Sequence, residues 1–128
     1  MNTKQKEFLM NPTKDIYNSL FLNNHLVILI IDPDTGRIKN ANKKAAEFYG
    51  YNYDDLLKLR IMDINILSED EIKCEMKKAI SGKKNFFKFQ HRLKSGEIKN
   101  VSVSSGKVLL NGKEHLYSVI IDVSDSSN

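Results

Sequence analysis

Two tight turns in the second half constrain this chain more than any other feature. Asn111-Gly112 tolerates positive φ at both central positions of a two-residue loop, which makes it the strongest hairpin signal in the sequence. Ser95-Gly96 is a second such turn. Around them the apolar residues alternate. In 86–94, Phe87, Phe89, His91 and Leu93 point one way, and Lys88, Gln90, Arg92 and Lys94 the other. A long strand then runs from Glu97 through Val101 and Val103 to Leu110, and a last one from about Glu114 to Val123. The result is an antiparallel meander with one face to bury.

The first half supplies what that face packs on. Leu26 to Asp32 is apolar at successive positions and reads as a strand covered on both sides. Pro33-Asp34-Thr35-Gly36 turns it into a second strand, Arg37 to Asn40. Asn42 is placed as an N-cap, its side-chain oxygen facing the free N–H groups of a short helix. Ala41, Ala45, Phe48 and Tyr49 share one face of that helix. Gly50 stands where a left-handed C′ residue ends it, with Tyr51 folding back as the apolar C″ contact. Asn52-x-x-Asp55 resembles a capping box with Asp in the acidic position, and residues 60–65 fit one more helical turn. Ser68-x-x-Glu71 is the cleaner capping box. It opens a helix from Glu69 to Ser81 that buries Ile72, Met76, Ala79 and Ile80 and stops at Gly82. Upstream, residues 1–10 have no clear period. Asn11-Pro12 signals a helix start, and Ile16, Leu20 and Phe21 make an apolar stripe ending near Asn23-Asn24.

From Ile30 to Leu56 the order I-I-D-x-D-x-G-R-I-x-x-A-N-x-x-A-x-x-F-Y-G-Y-x-x-x-x-L resembles the start of a PAS domain, the sensor module of histidine kinases, cyclases and transcription regulators. The likeness continues through His91-Arg92-Leu93-Lys94-Ser95-Gly96-Glu97 to Asp122-Val123-Ser124. It implies an α+β fold, a five-stranded antiparallel sheet with short helices on one face, here with an N-terminal flanking helix. The domain is expected over 25–124, after a flanking segment 1–24 and before the start of a C-terminal linker at 125–128.

The rest of the chain narrows the function classes. No apolar run approaches the roughly 20 residues of a membrane span, so no membrane contact by this segment is expected. No apolar h-region of a secretory signal opens it. A single cysteine, Cys74, excludes an intramolecular disulfide and fits a reducing, cytoplasmic setting. The net charge of +4 comes from lysines scattered over nearly every element, and no aromatics interleave with Lys73, Lys77, Lys78, Lys83 and Lys84 as on a base-stacking surface. A nucleic-acid partner is therefore not expected. G-x-S-x-G, Walker and H-E-x-x-H motifs are absent, and His25, His91 and His115 have no partner at metal-ligand spacing. The chain is read as a non-enzyme without a metal site. Haem-binding PAS domains commonly take an axial histidine from the helix before the meander, and this one has none. The N-C-R-F-L-Q motif of flavin photosensors is also missing, so neither cofactor is expected.

With the usual PAS register, one sheet face looks into the helices. It carries Leu29, Ile31, Phe87, Phe89, His91, Val101, Val103, Ser105, Leu116, Ser118 and Ile120, with Phe48, Ile72 and Met76 facing it from the helices. An apolar wall with a few placed polar groups suits a small organic ligand. The alternative is a closed core in which His91 bonds a backbone carbonyl, leaving a module for dimerisation alone.

Two further expectations concern the edges. Asp122 and Ser124 match the D-I-T position that joins PAS domains to their effectors, and so imply a C-terminal effector domain and a signal-output role, as in two-component systems. Tyr117, Val119 and Ile121 make the other face of the last strand too apolar for solvent. With Ile16, Leu20 and Phe21 they are the expected interface of a homodimer.

Overall fold

Asn111 and Gly112 take φ values of 52° and 79°, the left-handed pair that a two-residue hairpin loop demands. They join β4 (Ile98–Leu110) to β5 (Lys113–Asp122), and Ser95-Gly96 joins β3 (Phe86–Arg92) to β4. The computed structural model describes residues 25–124, so the expected helix carrying Ile16, Leu20 and Phe21 lies outside the described residues. The remaining elements are β1 (Val27–Ile31), β2 (Ile38–Ala41), α1 (Lys43–Tyr49), α2 (Tyr53–Leu56), a 3-10 turn (Ile61–Asp63) and α3 (Glu69–Ile80). The strands form one five-stranded sheet in the order β2-β1-β5-β4-β3, antiparallel throughout. The expected α+β architecture is the one observed.

Side-chain alternation divides the sheet into two faces. Val27, Leu29 and Ile31 of β1, Phe87 of β3, Val101 and Val103 of β4, and Leu116 and Ile120 of β5 enter one core with the helices. The helices contribute Ala45, Tyr49, Leu56, Ile72, Met76 and Ala79. Burying each large apolar side chain contributes about 1.5–3 kcal/mol, so this face dominates the energetics. Ile28 and Ile30 lie outside that core yet are also buried, as a run apolar on both faces requires.

Asn42 does more than cap. Its Oδ1 accepts from the Ala45 N–H at 3.0 Å and from the Ile28 N–H at 3.1 Å, and its Nδ2 donates to the Leu26 carbonyl. One buried amide thus starts α1 and fastens it to the first strand. Gly50, with φ of 82°, closes α1 by donating to the Ala46 carbonyl, which also receives the Tyr51 N–H. Ser68 and Glu71 form the reciprocal capping box of α3, each bond 3.2 Å long.

The sequence reading of Asn52-x-x-Asp55 is corrected. Asn52 is the N-cap residue of α2 but makes no side-chain cap bond, and Asp55 instead lies 3.5 Å from Lys58. In a four-residue helix, Asp55 is turned toward its neighbour one turn on. The α3 helix also ends at Ile80, with Ser81 as its C-cap. Residues 64–66 run beside β3: Arg92 donates to the Ile64 carbonyl at 2.7 Å and Ile66 to the Gln90 carbonyl at 3.2 Å. That pairing clamps His91 between two hydrogen-bonded neighbours.

Candidate functional site

On β3 the inward side chains form a ladder. Phe87 and Phe89 stack with ring centroids 5.3 Å apart, and Phe89 and His91 at 6.2 Å. Beside them a cavity of about 40 Å³ opens between the sheet and α3. Leu29, Ile31, Ile72, Met76, Phe87, Phe89, His91, Val103, Ser105, Leu116, Ser118 and Ile120 all line it, as the register placed them. Two expected residues do not. Val101 is buried under Phe89 but faces a separate cleft beside Ile66 and Leu67, and Phe48 sits edge-on to Tyr49, which occupies the space next to His91. Ile61, Asn65, Glu75 and Ala79 also line the cavity and were not anticipated.

Hydrogen bonding fixes the state of the histidine. The phenol oxygen of Tyr49 is 2.8 Å from His91 Nδ1, and Nε2 is buried with no partner among the described residues. If the phenol donates to Nδ1, the proton of the neutral ring sits on Nε2 and one donor remains unmatched. The opposite tautomer strands both the phenol proton and the Nε2 lone pair. An unmade buried hydrogen bond costs about 1–3 kcal/mol, so the network assigns the Nε2–H form. Burial lowers the His91 pKa to about 4 and pushes that of Tyr49 upward, so both stay neutral at pH 7.

The other polar groups differ in character. Ser105 and Ser118 pair across β4 and β5, their hydroxyl oxygens 2.9 Å apart. Glu75 reaches the cavity from α3 while keeping 19% of its side chain exposed, and accepts from Lys78 and Lys84, each at 3.1 Å. Burial alone would raise the Glu75 carboxyl; the two ammonium groups outweigh it and hold the pKa below the usual range. Lys84 also stands 4.8 Å above the Phe87 ring, joining α3 to the start of β3.

At the edges, Ser124 donates its N–H to Asp122 Oδ1 at 2.9 Å, and its hydroxyl accepts the Asn100 N–H at 2.8 Å. On the outer sheet face Tyr117 and Ile121 are 39% and 48% exposed, and Val119 is half-buried. The Tyr117 ring comes close to Gly106, where a Cβ would sit 2.7 Å from ring carbon Cε1. Cys74 is exposed and unpaired in any disulfide.

A family model described as PAS domain matches residues 26–125. The chain belongs to the PAS domain family. Several solved PAS domains share its fold: one from an HTR-like protein of Haloarcula marismortui superposes with a TM-score of 0.74 at 19% identity, over 93% of this chain and 98% of that one. One from Desulfitobacterium hafniense gives 0.72 at 22% identity, over 77% and 92%. One from a two-component sensor histidine kinase gives 0.69 at 19%, over 88% and 98%. Among curated proteins, the PAS domain is 30% identical over 112 residues to the diguanylate cyclase DgcM of Escherichia coli K12. The match covers 85% of this chain and 27% of that protein, so the domain corresponds to about a quarter of the relative's length.

Proposed function

We propose that this PAS domain is a non-catalytic sensor module that takes up a small organic molecule between α3 and the sheet and regulates an effector joined beyond Val123. The observation that carries the reading is that His91, whose buried Nε2 has no partner among the described residues, lines a cavity of about 40 Å³. A closed core has no use for such a donor. The cavity has room for about three water molecules. Neither haem nor flavin belongs to this reading, because each is far larger than the cavity. The likeness to a diguanylate cyclase and to a histidine-kinase PAS domain favours a cyclase or kinase as effector. A nucleic-acid partner is left out of the reading: of Lys73, Lys77, Lys78, Lys83 and Lys84, the first, third and fifth are each paired with a carboxylate. Among the described residues no helix is long and apolar enough to cross a membrane.

A second reading is a dimerisation module, favoured by the exposed apolar pair Tyr117 and Ile121. The two roles are compatible, and homodimer formation through that face is part of the proposal. Native mass spectrometry of the protein as purified tests both together. A small bound mass on a dimer is expected. Bare chains, with no compound in a metabolite panel raising the melting temperature, would overturn the sensor role and leave dimerisation alone.

A further inference from the structure

We propose that the cavity selects a neutral molecule of a few heavy atoms that presents a hydrogen-bond acceptor, a ketone, amide or ether oxygen, to the Nε2–H of His91. This rests on the sensor reading above and adds the chemical class of its ligand.

The polarity of the cavity is lopsided. His91, which lines the cavity, offers a donor that nothing among the described residues accepts. The paired hydroxyls of Ser105 and Ser118 hold two protons but share one hydrogen bond, so a second donor is left over among the described residues. A ligand that satisfies these groups must supply lone pairs. Methyl and methylene groups then match the remaining wall of Leu29, Met76, Phe87 and Ile120.

Charge decides which acceptors qualify. Among the described residues no lysine or arginine lines the cavity, and Glu75 is the one full charge that does. A carboxylate placed there would lose its water and meet no cation on the cavity wall, because Lys78 and Lys84 reach Glu75 without lining the cavity and are already paired with it. The imidazole gives no help, because burial keeps it neutral well below pH 7. A cation fares no better: Glu75 is already engaged by Lys78 and Lys84, and the inward donors repel a positive group. Only a neutral acceptor meets every requirement. The volume of about 40 Å³ limits it to a small one.

Three probes of matched size separate the cases: acetone, acetate and isopropylammonium, titrated into the protein labelled with 15N-histidine and followed by NMR at pH 7. The ring should be observed as the Nε2–H tautomer, with a saturable shift of that resonance on adding acetone. Acetate and isopropylammonium should bind at least about tenfold more weakly. Glu75→Gln should narrow the gap between acetone and acetate. Acetate binding as tightly as acetone, a gap unchanged in Glu75→Gln, or an Nδ1–H tautomer would overturn the neutral-acceptor assignment while leaving the sensor role standing. If none of the three gives a saturable response, the neutral-acceptor assignment falls, and the sensor role is decided separately by the native mass spectrum and the metabolite panel.

Discussion

Asp122 receives the backbone N–H of Ser124 on its carboxylate at 2.9 Å, and so shapes the last described turn of the chain. Lys99 lies 3.7 Å from the same carboxylate, and the Val123 N–H donates to the Asn100 carbonyl at 2.9 Å. The exit is thereby stitched to β4, whose inward residues Val103 and Ser105 line the cavity. Asp122→Ala should cost about 1 kcal/mol or less, because the bonds it removes are near the surface. In the parent protein the same change should disconnect effector activity from the ligand. Normal ligand response in that variant would remove Asp122 from the output path.

Acid should destabilise the domain through His91. Its pKa is lowered from 6.5 to about 4 on folding. Between those values the unfolded chain binds a proton that the folded one refuses, so stability is intact above about pH 6.5 and falls as the pH drops toward about 4. The whole window is worth about 3 kcal/mol. Urea midpoints should fall across it for the wild type and stay flatter for His91→Gln. Asp32 and Glu75, whose carboxyl pKa values are lowered, lose their stabilising contributions at still lower pH. Equal slopes in wild type and variant would place the acid sensitivity with groups other than His91.

Asn42 joins two elements, and its replacements should separate the joints. Asn42→Ala removes the cap of α1 and both ties to β1, for an expected loss of about 2–4 kcal/mol. Asn42→Asp keeps the accepting oxygen but sets a carboxylate against the Leu26 carbonyl, and should be intermediate. Urea unfolding at pH 7 measures both. A loss of only about 1 kcal/mol in the alanine variant would mean that the cap alone matters.

If the outer sheet face forms a homodimer, lysines placed there should break it. The double variant Tyr117→Lys, Ile121→Lys should raise the dimer dissociation constant at least about tenfold, read by sedimentation, with circular dichroism unchanged. A dimer that survives the change uses another surface, and a monomeric wild type ends the proposal.

What could be read in advance was local or periodic. Asn42, the Ser68–Glu71 box and the Asn111-Gly112 turn act within a few residues of themselves, so their residue types suffice to place them. The inward register of β3, β4 and β5 follows from strict alternation, which is why most of the cavity wall was legible. The bond between Tyr49 and His91 was not, since it joins residues 42 apart in sequence and depends on how α1, packed on β1, brings its last turn to β3. Glu75 was missed because a charged helix position reads as solvent-facing, and only the packing of α3 over β4 and β5 makes it a wall of the cavity. Asn52-x-x-Asp55 misled for the opposite reason: its residue types fit a box, but Asp55 found a closer partner in Lys58.

The sheet order has a mechanical consequence. Strand β1 enters the sheet beside β5, the strand by which the chain leaves, and Val27 lies opposite Ile120. Whatever pulls on the two flanking segments pulls at the same end of one antiparallel pair. Tension there peels β5 from β1 one rung at a time, like a zipper, rather than loading every rung at once as shear would. The flanking connections therefore load the β1–β5 pair in its weaker direction, and Leu116, Ser118 and Ile120 of that same pair stand on the cavity wall.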